Sequence, residues 1–167
     1  GLIGQSVKRK EDVRFLTGAG QYTDDITLPR QTYAVFVRSP HAHAKIKSIR
    51  KDKALKAPGV LAVFTGEDLA AAKVGGLPCG WLITDVNGQP MKEPPHPVLA
   101  QGKARYVGDH VAVVIAETQL QARDAAELVE VDYDVLPAVV DVADARKPGA
   151  PVIHDNAPDN TCYVWGL

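Results

Sequence analysis

The two histidines in "RSPHAHAKI", residues 38–46, are the first residues of this chain whose spacing could support chemistry. In an extended segment, residues i and i+2 share one face, so His41 and His43 would point the same way. Imidazoles bind transition metals, but a metal site needs three or four ligands converging at ~2.0–2.3 Å. No recognised ligand spacing links them to the remaining histidines and cysteines, which are His96, His110, His154, Cys79 and Cys162. Structural histidines are therefore the favoured interpretation, and a small metal-binding module using His41 and His43 stays open as an alternative.

A single lysine offers a second chemical possibility. The tripeptide "DKA", residues 52–54, is similar to the lysine tripeptide of lipoyl and biotinyl carrier domains, in which the lysine lies on a tight hairpin. Here "ALKAPG" follows, which is typical of a helical turn ended by Pro58 and Gly59. An ordinary surface lysine is favoured, and a carrier domain modified at Lys53 is the alternative. No group of residues in the sequence supports a catalytic, cofactor-binding or metal assignment.

The composition limits the classes of function. A chain of 167 residues with 46% hydrophobic residues is expected to form one domain with a real core. Its net charge of -1 argues against a nucleic-acid surface. No apolar run reaches the ~18–20 residues that a membrane span needs. The two cysteines are far apart in the sequence and fit a reducing compartment, so we expect a cytoplasmic protein without a membrane span.

The first half predicts short strands behind an irregular arm. Residues 1–31 are turn-rich and are expected to form that arm. "TYAVFVR", residues 32–38, and "AKIKSIRK", residues 44–51, predict two strands, and residues 52–59 predict a helical turn. "VLAVFT", residues 60–65, is continuously apolar, which predicts a strand buried on both faces. Thr65 is suited to cap a helix that follows.

The second half begins after a long excursion. Residues 74–97 are rich in Gly and Pro and predict a surface loop or an interface. "ARYVG" and "HVAVVIA" predict strands, the second one central, and "TQLQARDAAELVE" predicts a helix with a Thr118–Gln121 capping box. Its apolar stripe predicts close packing on a sheet; the stripe consists of Ala122, Ala125, Ala126 and Val129. "VEVDYDVLP" predicts a strand with one wet face, so strand, helix and strand suggest a βαβ unit with a right-handed crossover.

Five segments, taken together and in order, resemble one family. They are "RKEDVRFLTGAGQYTDDITLP", "AVFVRSPHAHAKIKSI", "APGVLAVFTGEDL", "ARYVGDHVAVVIAET" and "ARDAAELVEVDYDVLPAVVD". They resemble the N-terminal domain of the large subunit of molybdenum hydroxylases, the family of xanthine dehydrogenase, aldehyde oxidase and aerobic carbon monoxide dehydrogenase. The opening is most similar to the carbon monoxide dehydrogenase type. Where the family usually has Gly-Glu-Pro or Gly-Gln-Pro before the central strand, this chain has Gly108, Asp109 and His110.

The resemblance implies an α+β fold, the α/β-hammerhead, which we expect as a mixed sheet with two main helices and a βαβ unit. It implies an arm at residues 1–31, the hammerhead at residues 32–146 with its excursion at 74–97, and a segment at 147–167 that leads to molybdenum-binding domains outside this chain. In this family a molybdenum-pterin cofactor hydroxylates a carbon with water, and electrons leave through iron–sulfur clusters to FAD. The implied partners are the remaining large-subunit domains and the iron–sulfur and FAD subunits, in an oligomeric enzyme. The resemblance also implies that the histidine segment is scaffold and that the fragment itself is inactive.

Overall fold

The computed structural model describes residues 3–166, and contacts divide the chain into two units that meet between Gln31 and Thr32. The first unit carries a short helix, α1 (Asp12–Leu16), and a 3-10 turn (Thr23–Asp25). Asp12 accepts a hydrogen bond from the Arg9 backbone at 3.1 Å, and the Phe15 and Tyr22 rings stack with centroids 5.6 Å apart. The turn-rich sequence predicts an irregular arm, and it does not predict this helix.

The second unit contains six strands and three further helices in the part of the chain that the structure describes. In chain order they are β1 (Tyr33–Arg38), β2 (Ala44–Arg50), α2 (Asp52–Leu55), β3 (Val60–Thr65), α3 (Gly66–Ala71), β4 (Lys103–Ala104), β5 (His110–Ala116), α4 (Gln119–Glu127) and β6 (Glu130–Val135). The predictions for β1, β2, β3, β5 and β6 and for the helices are confirmed with small shifts at their ends. The strand predicted for "ARYVG" is wrong, because β4 ends at Ala104 and the next five residues form a turn before β5.

The six strands form two sheets, with orders β1-β5-β3 and β4-β2-β6. Every pairing among the described strands is antiparallel. The predicted mixed sheet and βαβ crossover are therefore wrong, although strand, helix and strand do follow one another. The reason lies in β5, whose two edges are occupied by β1 and β3, so β6 pairs with β2 instead, with Tyr133 opposite Ile46.

Helix α4 supplies the close packing that its small residues predict. Ala122 and Ala125 have no exposed surface, Val129 is buried, and Ala126 is partly buried against the same core. The Thr118 hydroxyl accepts a hydrogen bond from the Gln121 backbone N–H at 3.2 Å, which caps the helix. The Gln121 side chain lies 2.9 Å from that hydroxyl rather than on the Thr118 backbone, so half of the predicted capping box forms.

The sheet β1-β5-β3 is covered by α4 on one face. Val63 and Thr65 of β3 are buried on that side, whereas Phe64 is 42% exposed on the other. The prediction that β3 is buried on both faces is wrong within residues 3–166. Among residues 32–166, no second layer of helices or strands covers the side of the sheet that carries Phe64.

The long excursion pairs with the C-terminal segment of the same unit. The Met91 N–H donates to the Ile83 carbonyl at 3.0 Å, which closes a hairpin-like loop. The Lys92 N–H donates to the Cys162 carbonyl at 2.9 Å, and the Val86 N–H donates to the Val164 carbonyl at 3.0 Å. The sequence predicts a surface loop but not this pairing, because no pattern in either segment identifies the other. Among residues 3–166, no helix has the length and apolar character needed to cross a bilayer.

The packing of α4 predicts that a larger side chain at Ala125 is not tolerated. Ala125→Leu should lower the free energy of unfolding by ~1–3 kcal/mol, because extra methylenes force a close-packed helix off the sheet. The measurement is the urea midpoint, with Asp124→Leu on the exposed side of the same helix as control. Equal midpoints for the two variants would contradict the assigned helix face.

Candidate functional site

The turn before the central strand, residues 105–110, brings the most polar groups together and is called here the Asp109 turn. The Asp109 carboxylate accepts a hydrogen bond from the Arg105 backbone N–H at 2.9 Å. The Asp109 carbonyl accepts from the Ser39 N–H, and the Gly108 N–H donates to the Ser39 carbonyl, both at 2.8 Å. Gly108 has φ +91°, a backbone conformation that side-chain-bearing residues rarely adopt. The turn is therefore fixed to the end of β1 by backbone bonds, and its Asp109 carboxylate is committed to the turn itself.

A cavity of about 180 Å³ opens beside the Asp109 turn. It is lined by His96, Arg105, Tyr106, Asp109, His154, Ala100 and three prolines. Burial, and then the nearby Arg105 charge, lower the pKa of His154, so its imidazole is neutral at pH 7. Burial and the neighbouring Asp109 raise the pKa of Tyr106, so the phenol keeps its proton. The cavity can hold water or a small hydrogen-bonding molecule, and it is smaller than the ~300–1,000 Å³ of ordinary ligand pockets.

His110, which with Asp109 departs from the family pattern, does not line the cavity, and its ring lies against the sheet. Its ring stacks on Phe36 with centroids 4.4 Å apart. Burial, with Arg38 adding to it, lowers the pKa of His110, so the ring is neutral at pH 7. The Arg38 guanidinium donates to the Gly108 carbonyl at 3.2 Å. An aromatic ring at this position thus extends an apolar surface, which is a packing role.

His41 and His43 do not lie on a strand. They lie in the bend between β1 and β2, so the prediction that their side chains share a strand face is wrong. His43 is only 5% exposed, and its Nδ1 is 2.8 Å from the Pro137 carbonyl. The His41 ring meets the Tyr133 ring edge-on at 5.0 Å. Each imidazole thus has a packing partner, and within residues 3–166 no group of three or more His, Cys, Asp or Glu side chains could hold a metal ion.

Lys53 lies in α2 and not on a hairpin between strands. Its ammonium donates to Glu130 at 2.5 Å, and Arg50 donates to the other oxygen of the same carboxylate. Lys53 and then Arg50 lower the pKa of Glu130. This surface ion-pair group ties α2 and β2 to the start of β6, which is the role of an ordinary exposed lysine.

A second cavity, of about 340 Å³, lies between β2 and the start of α3. The Lys51 ammonium at its wall donates to the Asp68 carboxylate at 2.5 Å and to the Val63 carbonyl at 3.2 Å. Asp68 also accepts from the Thr65 backbone N–H at 2.7 Å, which completes a capping box with Thr65. The Lys51–Asp68 pair on this wall therefore stabilises α3, and a second lysine of the wall, Lys47, lies 3.9 Å from Asp132.

Sequence reasoning noted the unusual Gly108–Asp109–His110 but did not predict what it does. It also missed the link between the turn and Ser39, because those residues are about 70 positions apart. The glycine followed by aspartate was the available signal, since this pair is typical of a tight turn.

The Lys51–Asp68 pair predicts a pH-dependent contribution to stability. The Lys51 hydrogen bond, with help from Thr65, lowers the pKa of Asp68 below its usual value. A depressed carboxylate pKa stabilises the fold above the unfolded-state value of about 4 and loses that effect as the pH falls through the folded-state value. Asp68→Asn should therefore cost ~0.5–1 kcal/mol at pH 7. As the pH falls from about 4 through the lowered folded-state pKa, the variant and the parent should converge in melting temperature.

The matched control is Glu67→Gln, one residue away and exposed. The measurement is the melting temperature of the parent and of both variants, taken from pH 7 down to the acid transition. A constant difference between Asp68→Asn and the parent across that range would contradict the assigned ion pair.

The chain is similar in sequence to a family profile and to several known proteins. A profile described as "aldehyde oxidase and xanthine dehydrogenase, a/b hammerhead domain" matches residues 17–137. The carbon monoxide dehydrogenase large chain of Hydrogenophaga pseudoflava is 44% identical over 94% of this chain, and that of Afipia carboxidovorans is 43% identical over 99%. The chain covers only 18% and 19% of these relatives. The xanthine dehydrogenase molybdenum-binding subunit of Escherichia coli O157:H7 is 33% identical over 88% of this chain and 19% of its own length.

The solved structures agree with the sequence relatives. The crystal structure of the Cu,Mo-CO dehydrogenase in its carbon monoxide reduced state superposes with a TM-score of 0.74 and 40% identity. The match covers 98% of this chain and 19% of that chain. The resemblance and the hammerhead fold inferred from the sequence are thereby confirmed. The chain belongs to the aldehyde oxidase and xanthine dehydrogenase family, in the part described as its α/β-hammerhead domain.

Proposed function

We propose that this chain is the structural N-terminal domain of the molybdopterin-binding large subunit of a molybdenum hydroxylase of the carbon monoxide dehydrogenase type. In this proposal residues 1–31 are an arm, residues 32–146 are the hammerhead, and residues 147–167 lead to the molybdenum-binding domains. The chain spans less than a fifth of the length of the relatives it matches, so most of such a subunit lies outside it. Its task is to pack on those domains and to help position the subunits that carry electrons.

The observation that carries the proposal is the level of identity across the chain. Two carbon monoxide dehydrogenase large chains are 43–44% identical over nearly all of it, whereas the xanthine dehydrogenase subunit of Escherichia coli O157:H7 is 33% identical. The difference favours the carbon monoxide dehydrogenase type over the xanthine dehydrogenase type.

The two cavities described above do not fit a molybdenum-pterin cofactor. Bound phosphate and pterin need free cationic or N–H donors. In the larger of these two cavities Lys51 is paired with Asp68 and Lys47 with Asp132, and the Glu67 carboxylate beside them would repel a phosphate. The smaller cavity is lined by prolines and a neutral imidazole at His154. We therefore assign no catalytic, cofactor-binding or metal residue in this chain.

The parent enzyme, in this proposal, oxidises a small substrate with water as the oxygen source. The molybdenum-pterin cofactor supplies the redox chemistry when bound, and the protein supplies position and shielding. Electrons pass through iron–sulfur clusters to FAD on partner domains or subunits of an oligomeric, cytoplasmic enzyme. No observation favours the two alternatives, since Lys53 pairs with Glu130 and His41 and His43 gain no further ligand among residues 3–166.

The proposal predicts a division of activity between the parent and the fragment. The assembled parent enzyme should reduce an electron-accepting dye when supplied with carbon monoxide, more effectively than with xanthine or an aldehyde. Residues 1–167 alone should show no turnover with any of the three. Turnover of xanthine or aldehydes without turnover of carbon monoxide would refute the assigned type. Turnover by the fragment alone would refute its structural role.

A further inference from the structure

One face of the sheet β1-β5-β3 is apolar and is not covered by a helix or strand of residues 32–166. Antiparallel register places Phe36 and Phe64 on either side of Val113, in one row across the three strands. The next row places Ala34 and Ala62 on either side of Ile115. Phe36 is 39% exposed and Phe64 is 42% exposed, and His110 extends the surface by stacking on Phe36. We call these side chains the open face.

The open face has no charged residue in its two central rows. In an antiparallel sheet with one face in water, polar and apolar residues normally alternate along each strand, so that only one face is hydrophobic. Here β3 and β5 are apolar at consecutive positions, which is the pattern of strands covered on both sides. Helix α4 covers only the other side. The sequence therefore carries a second apolar face that residues 32–166 bury only in part, since Val113 and Ile115 are half-buried and both phenylalanines are exposed. Contiguous apolar patches of this kind mark interfaces.

We propose that the open face docks the remaining polypeptide of the large subunit, through an apolar surface of that polypeptide. This inference rests on the proposed function. The length of the relatives supports this occupant, because the chain covers 18–19% of the large chains and 19% of the solved carbon monoxide dehydrogenase chain. About four fifths of such a subunit is thus joined covalently to a domain with an uncovered sheet, and covalent linkage gives it a high effective concentration over other partners.

The residues of the open face indicate what kind of protein surface can dock on it. The two phenylalanines and the β-branched residues between them fit aliphatic or aromatic side chains without buried charge. Arg38 lies at one end of β1, beyond the two central rows, and within residues 3–166 it has no carboxylate within ion-pair distance. The docked surface is expected to be apolar over the two rows, with polar groups only at the Arg38 end.

Cysteine labelling in the full-length large subunit, assembled with its partner subunits, tests this inference. Phe64→Cys and Ala34→Cys introduce thiols into the open face, and Ala34→Cys is nearly isosteric, so it keeps the test valid if the first variant folds poorly. Leu120→Cys, 72% exposed on α4 at the other side of the sheet, is the matched control. A maleimide should modify positions 64 and 34 at least ~10-fold more slowly than position 120, because a docked face reacts only through local opening. Peptide mass spectrometry separates these sites from native cysteines.

Labelling at 64 and 34 as fast as at 120 would overturn the inference. Protection that is lost on dilution would overturn it in favour of a second copy, and protection that is lost when the partner subunits are removed would overturn it in favour of those subunits. Carbon monoxide turnover measured on the same samples separates the two proposals. An active enzyme with rapid labelling at position 64 refutes the docking surface alone, whereas a protected position in an enzyme without carbon monoxide activity refutes the assigned type alone.

Discussion

The occupation of both edges of β5 is the constraint on which the rest of this fold depends. Strand β5 is hydrogen-bonded to β1 on one side and β3 on the other, and Val111, Ala112, Val114 and Ala116 have no exposed surface. With no free edge left on β5, the strand that follows cannot pair with it; α4 packs back over one face, and β6 pairs with β2 in the second sheet. The small side chains of α4 make this close return possible.

Local patterns predicted the elements well and their arrangement less well. The apolar runs at residues 60–65 and 110–116 and the alanine stripe of α4 depend on side-chain periodicity, which is written in neighbouring residues. The antiparallel pairings and the split into two sheets depend on which strands already occupy the edges of β5, and no local pattern contains that information. The same limit explains why the pairing of Lys92 with Cys162 was missed.

The prediction for the two histidines shows the same limit of local patterns for candidate sites. The spacing of His41 and His43 would place them on one face only if the segment were a strand, and Pro40 beside them favours a bend instead. The Asp109 turn, by contrast, could be located from Gly108 and Asp109, but its attachment to Ser39 came only with the fold. The sequence assigned no chemistry to these groups; in the structure the Asp109 turn is hydrogen-bonded to Ser39, and His43 Nδ1 lies 2.8 Å from the Pro137 carbonyl. The prediction of a second buried face on β3 has a different origin in the docking proposal, in which the rest of the large subunit covers that face.

The central claim is that this chain is scaffold and that the reacting centre is built from other polypeptide. A structure of the assembled parent enzyme with its cofactor bound tests it most directly. The account predicts that no side chain of residues 3–166 lies within ligand or hydrogen-bond distance of the molybdenum centre and that polypeptide from the same subunit covers Phe36, Val113 and Phe64. A side chain of this domain bound to the cofactor, or a sheet face still open to solvent in that enzyme, would contradict it.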